Sequence, residues 1–461
     1  MLGRELRERR LKRGLSQSKL ADITGIQQAK LSAFELHKQD LSSHELSTVI
    51  KALNSLNDAK IAELKKKRYT SHVRDGSVIS SRPRRNYEKT PQNREYLSLL
   101  NELETEFNSH DKRELNAVSF FAGCGGLCYG IKAAGFSLVA TNELVEAYKD
   151  IYSLNFESAN FLPNDITAIS DADIDRIIEA NGSIDLMIGG PPCQGFSLAG
   201  KRDVNDSRNT LFQNYLHIAD CIKPKVILIE NVRLLTSMKD PDGKLVSERI
   251  LDTFRSIGYD SNFFEINAKD YAVPQHRERV IFIGIRNDLK KQPSIPKPQC
   301  NQAQDLFSET IPYYTFGDAV SDLEYIESGE TSKHDIYHKA VSHPEHVVRW
   351  LIDVPEGKSA HNNEDESLRP PSGYNTTYKR QVWNEPGGTV ATTYAMISGC
   401  RNVHPVATRS LTTREALRLQ GFPDSFKLCG KLGDIRTTIG NAVPPLLAYR
   451  LGQFIRDTYI L

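Results

Sequence analysis

The sequence lacks any long apolar segment. No run of 18 apolar residues occurs among its 461 residues, which argues against a membrane-spanning helix and a membrane partner. The N-terminus begins MLGRELRERR, and no apolar segment follows these charges, so we expect no secretory signal and a cytoplasmic location. Glycine (29 residues) and proline (21 residues) are too sparse for a fibrous or low-complexity protein.

Cysteine is also scarce and irregularly placed. The seven cysteines are odd in number, widely spaced and free of any Cys-x-x-Cys pair, which argues against a disulfide framework and a zinc ribbon. We expect most of them to be small buried hydrophobic residues and one to be chemically active.

Net charge is small overall but unevenly distributed. Residues 1–70 carry 15 Lys and Arg against 8 Asp and Glu, whereas the chain from Asn116 onward carries 36 against 42. A basic head on a mildly acidic body suggests that the head binds a polyanion. A basic helical surface that only faces solvent is the alternative, and composition leaves it open.

Periodicity divides the chain into a helical head and an alternating body. Helical spacing predicts short helices over 17–23 and 27–35 with a tight turn between them. From Asn116, five short apolar runs alternate with helical segments, which predicts an α/β fold with a mainly parallel sheet covered on both faces. The runs are AVSFF (117–121), SLVATN (137–142), IDLMIGG (184–190), KVILIENV (225–232) and ERVIFIGI (278–285).

Five segments follow from this pattern. We expect a helical head (1–68), a linker followed by a connecting helix (69–114, with the polar linker over 69–93), an α/β body (115–286), an irregular lobe (287–405) and a return to the body (406–461).

A glycine-rich turn, residues 121–126, follows the first predicted strand. Its glycines would let the backbone approach a ligand closely, and the helix that starts there favours a negative group. Glu143 ends the second strand, where a carboxylate can accept hydrogen bonds from ribose hydroxyls. Asp165 and Ile166 follow a third apolar stretch and are placed to contact a base. A glycine turn with a purely structural role is the alternative.

A second loop holds Cys193 directly after a predicted strand, in the segment GPPCQGFS. Two prolines stiffen the loop, so the cysteine is placed like a nucleophile at the carboxyl end of the sheet. The alternative is a buried structural cysteine.

Charged groups stand at two further strand ends. Glu230 ends KVILIENV as a partly desolvated carboxylate that, once protonated, can donate to a ring nitrogen; an ordinary strand-end carboxylate is the alternative. Arg277 and Arg279, two residues apart beside the next strand, should point the same way and suit phosphate or base edges. A salt-bridged surface edge is the alternative there.

Taken in order, these motifs resemble the C5-cytosine DNA methyltransferase family over residues 116–461. FAGCGGL is similar to the family's cofactor loop, GPPCQGFS to its nucleophile loop, ENV to its glutamate motif and QHRER to its arginine motif. DSRNTLF (206–212) and the segments 412–423 and 439–445 resemble its remaining motifs. The resemblance implies a Rossmann-like fold that uses S-adenosylmethionine, with an irregular target-recognition lobe over 287–405 that reads bases in the major groove.

The resemblance also implies a role for each residue. Cys193 would bond to C6 of cytosine and Glu230 would contact N3 and the exocyclic amine, while Arg277 and Arg279 would steady the base, the loop or the flanking phosphate. No metal is implied. The implied S-adenosylmethionine site comprises Phe121, Ala122, Gly123, Cys124, Gly125, Gly126, Glu143, Leu144, Asp165, Ile166, Pro192, Leu211 and Asn441.

Residues 4–56 resemble a Cro/repressor-type helix-turn-helix, in which LSQSKLADITGIQQAKLSAFE matches the two central helices. The resemblance implies that Gln27, Gln28, Lys30 and Ser32 read bases, since Gln suits adenine and Lys suits guanine or phosphate. It also implies repression of the enzyme's own operon and a homodimer formed through this domain. A small helical dimerisation module is the alternative.

The leading hypothesis is therefore a sequence-specific methyltransferase of double-stranded DNA that protects its sites from a partner restriction endonuclease, without a stable complex between the two. A tRNA-acting branch of the family fits the DNA-type head poorly. An amino-methyltransferase would carry an aromatic residue where Cys193 stands, and intact Cys193 and Glu230 oppose a transcription factor with an inactive enzyme half. His334 and His338 have i, i+4 spacing, but without a cysteine or HExxH context we do not expect zinc there.

Overall fold

The computed structural model describes the protein over residues 3–12, 17–36, 39–55, 87–109, 115–157, 159–192, 208–240, 242–301, 310–399 and 401–461. The chain divides into two compact units, Met1–Ser80 and Ser81–Leu461. No helix in these described stretches is both long enough and apolar enough to cross a bilayer.

The N-terminal unit is a small helical bundle. Its helices are α1 (Gly3–Lys12), α2 (Gln17–Thr24), α3 (Gln28–Glu35) and α4 (Ser43–Ser55). Leu6, Leu20 and Leu31 form its core with residues of α4. Gly25 adopts φ +71° between α2 and α3, a conformation that glycine reaches without steric cost, so the turn predicted at this point is present.

One buried ion pair links the first and third helices of this unit. The guanidinium of Arg10 lies against the carboxylate of Glu35, with Nε 2.6 Å from Oε1 and Nη2 2.8 Å from Oε2. Gln17 donates a further hydrogen bond to the same carboxylate. Hydrogen bonds and the charge of Arg10 hold the pKa of Glu35 below its usual range, although burial alone would raise it.

The larger unit is built on a six-stranded sheet with the order β2-β1-β3-β4-β6-β5. Its strands are β1 (Leu115–Phe120), β2 (Phe136–Thr141), β3 (Leu186–Gly189), β4 (Val226–Val232), β5 (Tyr259–Asn267) and β6 (Glu278–Arg286). The first four are parallel, which confirms the mainly parallel prediction, whereas β6 runs antiparallel to both β4 and β5. The connection from β5 to β6 contains only a short 3₁₀ turn, too little chain for the crossover that a parallel pair needs.

Helices cover both faces of this sheet. They include α5 (Asn93–Asn108), α6 (Gly126–Ala133), α7 (Glu146–Asn155), α8 (Asp171–Asn181), α9 (Arg208–Ile222) and α10 (Val246–Ser256). Neighbouring strand residues belong to opposite cores: Ile188 and Leu228 pack in one apolar cluster, Met187 and Ile227 in the other. This alternation is the period-2 geometry of strands that are buried on both faces.

The lobe between β6 and the C-terminal return has little regular structure. Its described elements include β7 (Cys300–Asn301), β8 (Ile311–Pro312), α11 (Phe316–Val320) and α12 (Glu345–Leu351). The chain then returns through α13 (Thr413–Leu419), α14 (Leu432–Asn441) and α15 (Pro445–Ile455). Helix α15 packs closely on α6. A Cβ at Gly130 of α6 would lie only 2.3 Å from the carbonyl oxygen of Pro445 at the start of α15, so glycine permits this approach.

The end of the expected linker is fixed to the larger unit. Tyr87 is buried, its ring lies 5.2 Å from that of His404, and its hydroxyl accepts a hydrogen bond from Arg409. Asn93 donates to the carbonyl of Asp318 and to the carboxylate of Asp322. The expectation of a polar linker as far as residue 93 is therefore wrong for residues 87–93, because an aromatic anchor and an amide supply contacts that periodicity does not reveal.

Candidate cofactor and catalytic site

A cavity of about 440 Å³ opens at the carboxyl ends of β1 to β4. This edge of a parallel sheet is where such folds commonly bind ligands. The predicted site residues that line it are Phe121, Ala122, Gly123, Cys124, Gly126, Glu143, Leu144, Asp165, Ile166, Pro192, Leu211, Glu230, Arg279 and Asn441.

The glycine turn after β1 is a tight backbone cradle. Gly123 and Gly125 have φ of +58° and +92°, and a Cβ at Gly125 would lie 2.5 Å from the Phe156 ring. Gly125 does not line the cavity but shapes the turn from behind. A Cβ at Gly126 would lie 2.4 Å from the Val443 carbonyl oxygen, so the helix that starts here sits against the C-terminal return. Glycine is therefore needed at Gly125 and at Gly126, where a Cβ would clash.

Cys124 within this turn is a packing residue. It is buried, and burial raises the pKa of its thiol to about 11. The thiol is therefore protonated at neutral pH and is not a nucleophile.

Glu143 ties the second strand to the glycine turn. Its Oε2 accepts a hydrogen bond of 2.8 Å from the Gly123 N–H, and its Oε1 accepts one of 2.9 Å from the Val145 N–H. Burial nonetheless raises the pKa of this carboxyl. Each carboxylate oxygen can accept more than one hydrogen bond, so the group retains capacity for the hydroxyls of a ligand.

Asn142 is a positioning residue that the sequence analysis missed. Its side-chain amide donates to the carbonyls of Pro163 and Asn164 and so fixes the loop that presents Asp165 and Ile166. Asp165 is exposed, and hydrogen bonds from Thr167 lower the pKa of its carboxyl, whereas Ile166 is buried. The only sequence signal for Asn142 is its place at the strand end, directly before Glu143.

The loop after β3 begins at the cavity. Gly190, Pro191 and Pro192 line it, whereas Cys193, the predicted nucleophile, lies outside the described residues. Asn231 donates a hydrogen bond of 2.8 Å to the Pro191 carbonyl and holds the start of this loop against β4.

Glu230 and Arg279 form an ion pair at the cavity wall. Arg279 Nε lies 2.7 Å from Glu230 Oε1, and both side chains are largely buried. Despite this close contact, that oxygen has no hydrogen-bond partner among the described residues. A buried carboxylate oxygen that lies beside one cation and still has capacity to accept hydrogen bonds is suited to bind the polar edge of a ligand.

Arg277 does not face the cavity. Its side chain is fully buried and donates to the carbonyls of Val390, Gly440 and Ala442. Burial and the nearby charge of Arg279 lower its pKa. The expectation that both arginines point the same way is wrong, because β6 begins only at Glu278 and strand alternation does not extend back to Arg277.

Other lining residues have no individual role assigned from the sequence. Of these, Leu127, Gly190, Pro191, Asn231, Val232, Ala442 and Val443 lie within the quoted motifs, whereas Ser119, Phe120, Asn142, Val145, Tyr148, Asn164 and Thr438 lie outside them. Thr438 is 2% exposed, and its hydroxyl has no hydrogen-bond partner within the described stretches. Thr438 lies one turn before Asn441 on α14, so the two share a helix face, and this spacing would have predicted that Thr438 also lines the cavity.

In the N-terminal unit, Gln27 and Gln28 are exposed at the start of α3, and Ser32 is partly exposed. The ammonium of Lys30 instead lies 2.6 Å from Oε1 and 2.9 Å from Oε2 of Glu45. This contact, with two more from Ser42, lowers the pKa of Glu45 to about 2. Base reading by Lys30 therefore requires that it leave this carboxylate.

His334 and His338, the pair with i, i+4 spacing, have different surroundings. His338 is buried, and its two ring nitrogens lie 3.0 Å from the Thr412 hydroxyl and 2.7 Å from the Glu324 carbonyl oxygen. His334 is exposed, but both ring nitrogens of His338 already have partners, so His338 offers no nitrogen for a metal shared with His334.

Comparisons with known proteins bear on this geometry. The family model for C-5 cytosine-specific DNA methylases matches residues 115–456, and a helix-turn-helix model matches residues 6–57. The chain is 32% identical to the type II methyltransferase M.DdeI of Desulfomicrobium norvegicum, over 74% of this chain and 88% of that protein. It is 34% identical to the type II methyltransferase M1.HphI of Haemophilus parahaemolyticus, over 74% and 86%.

A crystal structure of a prophage-encoded DNA modification methyltransferase of E. coli shares the fold. It superposes with a TM-score of 0.58 at 24% identity and covers 74% of this chain and 99% of that one. The chain therefore belongs to the family of C-5 cytosine-specific DNA methylases, is a DNA cytosine methyltransferase of the type II restriction–modification class, and carries an N-terminal helix-turn-helix domain.

Proposed function

We propose that the protein transfers a methyl group from S-adenosylmethionine to C5 of one cytosine in a specific duplex sequence, with Cys193 as the nucleophile. The observation that carries the proposal is the wall of the cavity. The Glu230–Arg279 ion pair lines the same cavity as the glycine turn, Glu143 and Pro192, the residue directly before Cys193.

The cavity fits the methyl donor. Its volume of about 440 Å³ lies within the range of small-molecule sites, and its wall combines apolar side chains with a buried carboxylate. Glu143 would accept hydrogen bonds from the ribose hydroxyls, and Ile166 would contact the adenine beside the carboxylate of Asp165. Leu144, Pro192, Leu211 and Asn441 would enclose the ligand. When bound, S-adenosylmethionine supplies an electrophilic methyl group.

Cys193 would activate the target base by covalent addition. Cytosine C5 is a weak nucleophile, but addition of the Cys193 thiolate to C6 converts the ring into an enamine whose C5 accepts the methyl group. Loss of the C5 proton then expels the thiolate and restores the aromatic ring. Glu230 would hydrogen-bond N3 and the exocyclic amine and so favour the addition at C6. The base must first rotate out of the duplex, which costs a few kcal/mol.

Bisulfite sequencing of DNA from a host that expresses the protein tests this reaction. We expect one cytosine of a fixed short sequence to resist conversion, no protection with Cys193→Ala, and full protection with the control Cys429→Ser, which alters a thiol that does not line the cavity. Unprotected DNA, or protection that survives Cys193→Ala, would contradict the proposal.

The same modification would protect the host from a restriction endonuclease. We expect the two enzymes to recognise one sequence independently, without a stable complex between them. An endonuclease that cuts the sequence mapped by bisulfite should leave the modified DNA intact and cut DNA from the Cys193→Ala host. Cleavage of both samples would refute this role.

The N-terminal unit would bind an operator and repress the enzyme's own transcription, as a dimer on palindromic DNA. The exposed Gln27 and Gln28 at the start of α3 support this, since glutamine pairs with adenine edges in the major groove. In gel shifts with promoter DNA, changing both residues to Ala should weaken binding, whereas Gln213→Ala, an exposed glutamine of the larger unit, should not. Unchanged binding after deletion of residues 1–68 would end the idea.

A further inference from the structure

Three potential metal ligands converge on the surface of the larger unit, at the end of α9 that lies away from the cavity. They are Asp171, His217 and Cys221, and their ligand atoms all lie within 4.8 Å of one another. His217 and Cys221 are one turn apart on α9, with Nε2 and Sγ separated by 3.9 Å, while Asp171 is the first residue of α8. Two helices thus contribute to one ligand set.

The spacing suits a tetrahedral ion. Bonds of 2.0 to 2.3 Å to oxygen, nitrogen and sulfur place tetrahedral ligands about 3.5 Å apart, so small rotations of exposed side chains would close the set. The three groups are exposed, which leaves the fourth position to water.

The surrounding charges favour a cation. Asp175 and Asp220 also act electrostatically on Cys221 and add negative charge, and Lys223 is the cation beside them. Lys223 is paired with Asp220, so these two charges largely offset each other and Asp175 supplies the added negative charge. Thiolate, imidazole and carboxylate together select zinc or a similar borderline ion over magnesium or calcium, which prefer oxygen ligands alone.

We propose that Asp171, His217 and Cys221 form a surface site for Zn²⁺ that clamps the start of α8 to the end of α9. On binding, Cys221 releases its thiol proton to solvent and the ion takes one sulfur, one nitrogen and one oxygen ligand. Leu211, which lines the cavity, precedes His217 by six residues and Cys221 by ten on α9, or about 9 and 15 Å along its axis. The site is therefore separate from the methyl-transfer chemistry.

Cobalt(II) absorption tests the site directly. Co²⁺ is titrated into the Cys193→Ala chain, so that the proposed catalytic thiol cannot contribute. We expect one ion per chain, a thiolate-to-metal charge-transfer band, tetrahedral ligand-field bands, and displacement by Zn²⁺. Zn²⁺ should also raise the Tm of the wild-type chain, because an ion that binds only the folded state stabilises it.

Matched variants assign the ligands. Cys221→Ser should abolish the charge-transfer band, and His217→Ala and Asp171→Asn should each weaken Co²⁺ binding at least tenfold. His334→Ala removes an exposed histidine elsewhere and should change nothing. A charge-transfer band that survives Cys221→Ser, unchanged affinity in His217→Ala, or the absence of tetrahedral bands would overturn the proposal.

Discussion

Replacing Glu143 with alanine would test how the glycine turn and the methyl donor depend on one carboxylate. Glu143 accepts hydrogen bonds from the backbone N–H groups of Gly123 and Val145, at 2.8 and 2.9 Å. Its loss removes the acceptor from the N–H of Gly123, which is partly exposed, and from that of Val145, which is exposed. Because a fully buried unsatisfied donor costs about 1–3 kcal/mol, each of these should cost no more than the low end of that range, and the Tm of the larger unit should fall by a few degrees.

Donor binding should weaken more selectively. A hydrogen bond to a charged group contributes about 1.5–3 kcal/mol, which corresponds to a roughly tenfold to 150-fold loss of affinity for S-adenosylmethionine. Calorimetric titration of the donor measures this loss, and steady-state kinetics should show a raised KM for the donor with a smaller change in kcat. Glu143→Gln, which keeps the size and one acceptor oxygen, should fall between alanine and wild type.

The pH dependence has a defined sign. Burial raises the pKa of Glu143, so its contribution to stability is present below the pKa of the unfolded chain and is lost as pH rises through the folded value. Glu143→Gln should remove this component of the stability–pH curve. Unchanged Tm and unchanged donor affinity in Glu143→Ala would refute the assignment of this residue to the turn and the ligand.

Three further perturbations follow from buried contacts. Arg10→Met leaves the Glu35 carboxylate buried without its partner and should cost about 3–5 kcal/mol, which unfolds the N-terminal unit while DNA methylation persists. Asn231→Ala frees the Pro191 carbonyl and should lower kcat with little change in donor affinity, as read by single-turnover methylation. Burial lowers the pKa of His343 to about 4, so between pH 6.5 and 4 this histidine is protonated in the unfolded chain but neutral in the folded one. The free energy of unfolding, measured by chemical denaturation, should therefore fall as pH drops from 6.5 toward 4.

Each of these has a control and a contradicting result. The double variant Arg10→Met, Glu35→Met should recover stability, and a single variant as stable as wild type would contradict the buried pair. Equal loss of donor affinity and kcat in Asn231→Ala would show that the residue does not act through the loop. His343→Phe should flatten the acid limb of the stability curve, and an unaltered limb would refute the role of this histidine.

The strands were largely predictable because most of them are apolar on both faces. β4, for example, runs through Ile227, Leu228 and Ile229 with no exposed position. β5 was missed because it lies at the sheet edge, where exposed and partly exposed residues break the apolar run. Hydrophobic periodicity also does not predict that β6 is antiparallel, because strand direction depends on the length and contacts of the connection that precedes it.

The site was predictable to the extent that its residues sit at strand ends. Glu143 and Glu230 are such cases, and both line the cavity. The Glu230–Arg279 contact required the register of β4 against β6, which pairs Val232 with Arg279 and places the two charges diagonally. Arg277 was misassigned because its partners are carbonyls distant in the sequence, which no local pattern reveals.

A trapping experiment tests the central claim most directly. A duplex that carries the mapped recognition sequence with 5-fluorocytosine at the target position is incubated with the protein and S-adenosylmethionine. Fluorine at C5 cannot leave as the proton does, so the Cys193 thiolate cannot be expelled once the methyl group is in place. We predict a covalent protein–DNA complex that survives denaturation, forms only with the donor and is absent with Cys193→Ala. No such complex in the presence of the donor, or one that persists in Cys193→Ala, would contradict the account.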